Sequence, residues 1–293
     1  MKQQNPLPTF ISYKLDPKIG MVISGDHHLT NTNATREYDI NETVLFIHWI
    51  GLREAEWLLN GDTFDYQGCF FQQAGYWSNH FGHIRQIVVN PGNHDEYLWW
   101  LNGLRLSNMT INKQLGYRLE WGDRTIFVTH GHNPWDDFWT NSVVRKGLGK
   151  AILSASTHAQ QLFGPNIDRI IMDPLIWLEK HVLPRGQRLG KEKYTSAALD
   201  ILCVNDCLGV IERPVVIFGH THDPLTIEMS RGDHSNNQAI VLNPSSWTKG
   251  WEDSNGQQHS NAFQGCVWLD PECYPMIKFG RVINGMFEET RQV

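Results

Sequence analysis

The sequence has few features of a membrane-spanning or disulfide-stabilised protein. Its apolar runs, such as Val44–Ile47 and Val215–Phe218, are far shorter than the roughly 18 residues of a transmembrane helix. Five cysteines form an odd, sparse set, which predicts reduced thiols. The net charge of −6 disfavours nonspecific binding to duplex nucleic acid. The first twenty residues contain three prolines and no continuous apolar segment, so we expect no secretory signal and a cytoplasmic location.

Short apolar runs that end in polar turn residues predict an α/β fold. Such runs are typical of buried strands, and they occur at Met21–Ser24, Trp57–Asn60, Gln86–Asn90, Thr125–Thr129 and Val215–Phe218. A helical spacing of apolar residues within Glu37–Glu54 predicts a crossover helix, and strand–helix–strand order favours parallel pairing. Tyr117–Trp121 and Thr125–Thr129 predict a hairpin, as do Leu225–Met229 and Ala239–Leu242, so the sheets should be mixed.

The middle of the chain has a different pattern. Apolar residues recur at helical spacing around Ile170 and again, less regularly, from Ala197 to Leu208. A stretch of this length is too long for a structureless loop. We therefore predict a single domain over residues 1–293, with a helical cap inserted at residues 133–213.

Five polar clusters follow five predicted strands. They are Asp26-His27-His28, Gly61-Asp62-Thr63-Phe64-Asp65, Gly92-Asn93-His94-Asp95, His130-Gly131-His132 and Gly219-His220-Thr221-His222. Strand carboxyl ends in open α/β sheets are where sites assemble. Carboxylate, imidazole and amide groups are ligands for hard or borderline metal ions. Each cluster alone could be a capped turn, a helix N-cap or a surface polar group, but their joint occurrence in this order predicts one metal site.

These motifs carry a family resemblance. The ordered set Asp-x-His, Gly-Asp-x-x-Asp, Gly-Asn-His-Asp, His-Gly-His and Gly-His-x-His resembles that of the calcineurin-like metallophosphoesterase superfamily. The match spans Asp26 to His222, and Asn243–Ser246 is similar to that family's Asn-Pro-Gly-Ser segment, with Ser245 in place of glycine. The resemblance implies a four-layer α/β/β/α sandwich with mixed sheets and two metal ions between loops at the sheet edge. It does not specify a substrate.

The resemblance also implies a ligand set. One metal ion would be held by Asp26, His28 and His222, the other by Asn93, His130 and His220, and Asp62 would bridge both. An anionic bridge suits two adjacent cations, and a water shared between them loses a proton readily and becomes the nucleophile. Two divalent ions are expected, with manganese first and iron or zinc as alternatives.

The resemblance assigns further roles near these ligands. His94 would protonate the leaving oxygen or stabilise the transferring group, and Asp65 would orient it, the alternative for Asp65 being a structural cap. We expect His132 either to contact phosphate or to support a neighbouring ligand, and the ligand Asn93 to contact phosphate as well. We expect His27 to be structural rather than a ligand.

The predicted cap bears on the substrate. An insertion at this point resembles the layout of the UDP-2,3-diacylglucosamine pyrophosphohydrolases of lipid A synthesis, and Arg145 and Arg188 could clamp a diphosphate. The alternative for the basic stretch around Arg188 is a solvated loop. The chain departs from that subgroup, because it has His94 where those enzymes have arginine and His-Gly-His where they have His-Gly-Asp. These differences favour a simpler phosphomonoester or phosphodiester as the substrate.

We accordingly predict a dinuclear metal-dependent hydrolase of a phosphomonoester, phosphodiester or diphosphate. Its substrate would be a small phosphorylated molecule, either nucleotide- or lipid-linked. The net negative charge disfavours a nuclease, although the tryptophans could stack on nucleic-acid bases. A non-catalytic scaffold that binds metal is the alternative from another class, and the retention of seven ligands plus His94 counts against it.

Overall fold

The computed structural model describes the two sheets and the helices that flank them. It covers residues 9–27, 29, 40–63, 77–92, 107–112, 116–131, 191–205, 213–220, 224–230, 238–244, 247, 251–252, 258–259 and 263–292. The described regular elements include, in chain order, β1 (Phe10–Leu15), β2 (Met21–Ser24), α1 (Ile40–Leu52), β3 (Glu56–Asn60), β4 (Gln86–Asn90), β5 (Met109–Ile111), β6 (Gly116–Trp121), β7 (Arg124–Thr129), α2 (Lys191–Val204), β8 (Val215–Ile217), β9 (Leu225–Ser230), β10 (Gln238–Asn243), β11 (Trp251–Glu252), β12 (Gln258–His259), β13 (Gly265–Leu269), β14 (Lys278–Ile283) and β15 (Met286–Gln292), with a short 3-10 helix at Pro271–Cys273.

Two mixed sheets form the centre of the fold. The six-stranded sheet has the order β1-β6-β7-β8-β10-β9, and the seven-stranded sheet has the order β15-β14-β13-β2-β3-β4-β5. Strands β2, β3, β4 and β5 are mutually parallel, and β7 is parallel to β8. The predicted β6–β7 and β9–β10 hairpins are both antiparallel, as expected. A separate two-stranded pair joins β11 and β12.

Alternating side chains of the strands fill three successive apolar layers. In β3, Trp57 and Leu59 face a cluster that includes Phe46 of α1, whereas Leu58 faces a cluster between the two sheets. The six-stranded sheet repeats the arrangement, because Val216 of β8 packs in a third cluster with residues of α2. Both sheets are thus covered on both faces, which is why their strands are continuous apolar runs.

The layer order is therefore α1, seven-stranded sheet, six-stranded sheet, α2. This confirms the predicted four-layer α/β/β/α sandwich. The parallel strands β2, β3 and β4 bring their carboxyl ends to one edge of the seven-stranded sheet. The ends of β7 and β8 lie in the six-stranded sheet, so loops from both sheets can meet there.

Helix α2 lies inside residues 133–213, the range predicted to be an inserted cap. Its buried face, which includes Tyr194, Ala198 and Ile201, packs on the six-stranded sheet. This helix therefore forms an outer layer of the sandwich. Residues 132–190 and 206–212 lie outside the described residues, so the helical cap at residues 133–213 stays a prediction.

Some strands differ from the sequence-based expectation. Strands β1, β5 and β15 were not predicted, because all three lie at sheet edges and are at least partly exposed, which weakens the apolar pattern. No helix in the described part of the chain combines the length and hydropathy of a transmembrane segment.

Candidate metal centre

Four of the predicted ligands follow four different strands and meet at the shared edge of the sheets. Asp26 follows β2, Asp62 follows β3, His130 follows β7 and His220 follows β8. The backbone amide of His220 donates hydrogen bonds to both carboxylate oxygens of Asp26, each at 3.0 Å, across 194 positions of sequence. The structure therefore brings the first and last polar clusters into direct contact.

Asp62, His130 and His220 form a compact donor group. One ligand atom from each residue lies within 4.8 Å of the others, an arrangement that could hold a metal ion. The His130 Nε2 lies 3.3 Å from Asp62 Oδ2, and the rings of His130 and His220 have centroids 5.2 Å apart. Both Asp62 and Asp26 are buried. Burying two carboxylates is costly unless positive charge neutralises them, and a divalent cation would supply that charge.

His130 has the orientation typical of a metal ligand. Its Nδ1 lies 3.0 Å from the carbonyl oxygen of Asn60, and because a carbonyl can only accept, Nδ1 carries the hydrogen. The Nε2 atom is on the side of Asp62, where a metal ion could take the place of its proton. Metal-binding histidines almost always donate their other ring N–H in this way. Burial by itself lowers the pKa of His130, but the carboxylates of Asp62 and Asp26 outweigh it and raise the pKa to about 9.

The loops at this edge use left-handed backbone. Asp26, Asp62 and His220 all have positive φ angles, of 57°, 47° and 75°, which non-glycine residues adopt at a cost. Strained backbone conformations cluster at functional sites, and three of them occur here at polar residues of one site. Backbone bonds fix the loops, since the Asp26 amide donates to the Gly61 carbonyl at 3.0 Å and the Gly219 amide donates to the His130 carbonyl at 3.1 Å.

Glycines let these loops pack closely. A Cβ at Gly61 would lie 2.2 Å from His130 Nδ1, and Gly61 has a φ of +83°. A Cβ at Gly92 would lie 2.2 Å from Asp62 Oδ1. Neither position has room for a side chain, so both glycines are required by the geometry of the donor group.

His27 packs among aromatic residues of the core. Its ring is fully buried, stacks on Trp247 with centroids 4.7 Å apart and approaches Ser24 Oγ with Nε2 at 2.8 Å. Burial lowers the pKa of His27 to about 3, so the ring is neutral. It is packed in the aromatic core, as expected for a structural residue.

The structure also shows contributions that sequence reasoning missed. Asn243 Nδ2 donates to the hydroxyl of Tyr194 at 2.9 Å, and that hydroxyl donates to the Gly219 carbonyl at 3.4 Å. Helix α2 thus supports the residue before His220. Asn60 and Asn90, the last residues of β3 and β4, are fully buried below the site. A signal was present, since both asparagines stand between an apolar strand and a glycine-containing turn.

Eight predicted site residues lie outside the described residues. They are His28, Asp65, Asn93, His94, His132, Arg145, Arg188 and His222.

Comparison with known proteins gives structural likeness only. No protein-family model and no curated protein matches the chain. A cold-active protein-tyrosine phosphatase of a psychrophile, Shewanella sp., is 16% identical, with 96% of this chain and 82% of that chain covered and a TM-score of 0.42. A dimetal phosphatase from Danio rerio is 11% identical, with 86% and 96% covered and a TM-score of 0.40. A predicted phosphoesterase from Streptococcus pneumoniae TIGR4 is 15% identical, with 92% and 96% covered and a TM-score of 0.33. Likeness at this level assigns no activity to this chain.

Proposed function

We propose that this protein is a metal-dependent phosphoesterase that uses two divalent ions. The observation that carries the proposal is the convergence of Asp62, His130 and His220 within 4.8 Å, with Asp26 bound to the His220 amide. These residues belong to four of the five ordered motifs that resemble the metallophosphoesterase set. A carboxylate and imidazole donor set fits manganese, iron or zinc, and we propose manganese as the resident metal.

The remaining ligands complete the proposed centre. His28 and His222 would join Asp26 at one ion, and Asn93 would join His130 and His220 at the other, with Asp62 shared. When bound, such ions bind phosphate oxygens and lower the pKa of water. The described residues suit such ions, because the buried carboxylates of Asp26 and Asp62 attract cations. The hydrogen bond from His130 to the Asn60 carbonyl also fixes the orientation of the imidazole ring.

The reacting groups are proposed from the sequence motifs. His94 would donate a proton to the leaving oxygen, and Asp65 would orient its ring. His132, Arg145 and Arg188 would contact the phosphate groups of the substrate. A phosphomonoester or phosphodiester is the proposed substrate class, and a diphosphate such as that of the UDP-2,3-diacylglucosamine pyrophosphohydrolases is the alternative. The cytoplasmic location also stays a prediction.

Metal content and hydrolysis test the proposal directly. The protein is stripped with EDTA, reloaded with manganese, analysed for bound metal and assayed with p-nitrophenyl phosphate and its bis ester. We expect hydrolysis that requires metal, and we expect Asp62→Asn to lose both metal and turnover. Asp270→Asn is the matched control, because Asp270 is also buried but pairs with Lys278 at 2.6 Å, away from the donor group.

Each outcome has a distinct meaning. Metal binding without turnover on these esters or on nucleotide, sugar-nucleotide and lipid phosphates would favour the non-catalytic scaffold. Failure of the wild-type protein to bind manganese, iron or zinc would contradict the metal centre itself. Equal loss of metal in Asp62→Asn and Asp270→Asn would indicate general destabilisation rather than ligation.

A further inference from the structure

Two buried asparagines form a hydrogen-bonded pair beneath the metal centre. Asn60 and Asn90 are the last residues of adjacent parallel strands and are direct partners in the register. Asn90 Nδ2 donates to Asn60 Oδ1 at 2.8 Å, and Asn60 Nδ2 donates to the carbonyl of Thr129 at 3.0 Å. Because the Thr129 carbonyl can only accept, the orientation of the Asn60 amide is fixed, and it requires Asn90 to donate.

This chain of bonds connects the two sheets. Asn60 and Asn90 belong to the seven-stranded sheet, whereas Thr129 is the last residue of β7 in the six-stranded sheet. The next residue is His130. The side chain of Asn60 therefore fixes the end of the strand that carries a proposed ligand. All three residues are buried, where a hydrogen bond is strengthened by the low dielectric.

The backbone of Asn60 acts on the same ligand. Its carbonyl accepts the Nδ1 hydrogen of His130 at 3.0 Å. Glycines leave this carbonyl accessible, since a Cβ at Gly25 would lie 2.4 Å from it and a Cβ at Gly219 would lie 3.1 Å from it. One residue thus positions both the backbone and the ring of His130.

We propose that Asn60, oriented by Asn90, is a positioning residue of the metal centre. It holds the strand end at Thr129 and the ring of His130 so that Nε2 faces the metal side of the site. The inference rests on the proposed function, because it assigns a role toward a metal that the donor group would bind. Loss of a partner that orients a ligand typically reduces metal affinity by about 10- to 100-fold.

Removal of the Asn60 amide tests this role. In Asn60→Ala the backbone carbonyl remains but the bond to Thr129 is lost, so we expect manganese affinity, measured by titration calorimetry on EDTA-stripped protein, to fall about tenfold or more. Asn90→Ala keeps the Asn60 side chain and removes only its orienting donor, so a smaller loss is expected. This second variant retains more of the buried network if Asn60→Ala folds poorly.

Asn112→Ala is the matched control. Asn112 is also a buried asparagine that follows a strand, and its Nδ2 donates to a backbone carbonyl, that of Gly116, at 3.1 Å. Urea unfolding in EDTA should show a loss of stability in both Asn60→Ala and Asn112→Ala. Only the Asn60 variant should lose manganese affinity.

Two results would overturn the proposal. Wild-type affinity in both Asn60→Ala and Asn90→Ala would show that the pair does not position the ligand, and an equal affinity loss in Asn112→Ala would show a general effect of destabilisation. Failure of the wild-type protein to bind metal would be seen before any variant is made. That outcome would refute the proposed function, and the role of Asn60 with it.

Discussion

Gly92 allows a direct test of the geometry around Asp62. A Cβ built on Gly92 would lie 2.2 Å from Asp62 Oδ1 and 2.4 Å from its backbone nitrogen, whereas ordinary contact begins at 3.4 Å. Rotation of the Asp62 side chain can relieve the first overlap but not the second. In Gly92→Ala, the loop that carries Asp62 must therefore move by about 1 Å, and overpacking of this kind typically costs about 1–3 kcal/mol.

The displacement should affect function more than stability. A shift of about 1 Å in a reacting group can reduce a rate by about 100-fold, so we expect Gly92→Ala to lose most phosphoesterase activity and to bind manganese more weakly. Gly219→Ala should be intermediate, because its Cβ would lie 3.0 Å from Asp26 Oδ2 and from His130 Nδ1. Titration calorimetry and urea unfolding in EDTA measure affinity and stability separately.

Gly51 provides the matched control. It lies in α1, and its Cβ would meet the His83 carbonyl at 3.4 Å, which is ordinary contact. Gly51→Ala should be neutral or should stabilise the protein by up to about 1 kcal/mol, with metal affinity unchanged. The reasoning would be refuted if Gly92→Ala bound manganese as tightly as Gly51→Ala does.

Three further predictions concern stability and reactivity. Burial by itself raises the pKa of Asp270, but hydrogen bonds from Lys278 and the Glu272 amide leave it below its usual value, so the carboxylate stabilises the fold above about pH 4 and this contribution is lost as the pH falls. Asp270→Asn should therefore cost about 1 kcal/mol of unfolding free energy at pH 7 and almost nothing near pH 3. Exposed Cys203 should react with iodoacetamide in the folded protein, whereas Cys266, buried and with a raised pKa, should react only after unfolding. Tyr194→Phe removes the nearer of two acceptors of the Asn243 amide, the other being the Gly219 carbonyl at 3.4 Å, and should cost about 1 kcal/mol in urea unfolding.

Each of these has a result that would contradict it. A stability difference for Asp270→Asn that does not change with pH would exclude the charge as its source. If peptide mapping shows that Cys266 is labelled as fast as Cys203, the core around β13 must be exposed to solvent in the folded protein. A Tyr194→Phe protein with wild-type stability would mean that Asn243 finds an equivalent acceptor.

The sequence predicted the central strands well because they are buried on both faces. Met21–Ser24 and Gln86–Asn90 were placed with their observed bounds, and the order of strand and helix indicated parallel pairing. The edge strands β1, β5 and β15 were not found, and in β15 the exposed residues predominate, so the sequence shows no apolar face. For helix α2, the sequence gives the period of the apolar residues but not the surface on which the helix packs, which is the six-stranded sheet.

At the candidate site, too, some features were predictable from the sequence and others depended on the tertiary structure. Residue types and their order at strand ends are local properties, and these were enough to predict Asp26, Asp62, His130 and His220 as parts of one centre. The hydrogen bond of His220 to Asp26 and the pairing of Asn60 with Asn90 depend on which strands become neighbours. Sheet order is decided by packing of the whole chain, so only the tertiary structure could reveal which buried amides and glycines hold the proposed ligands in place.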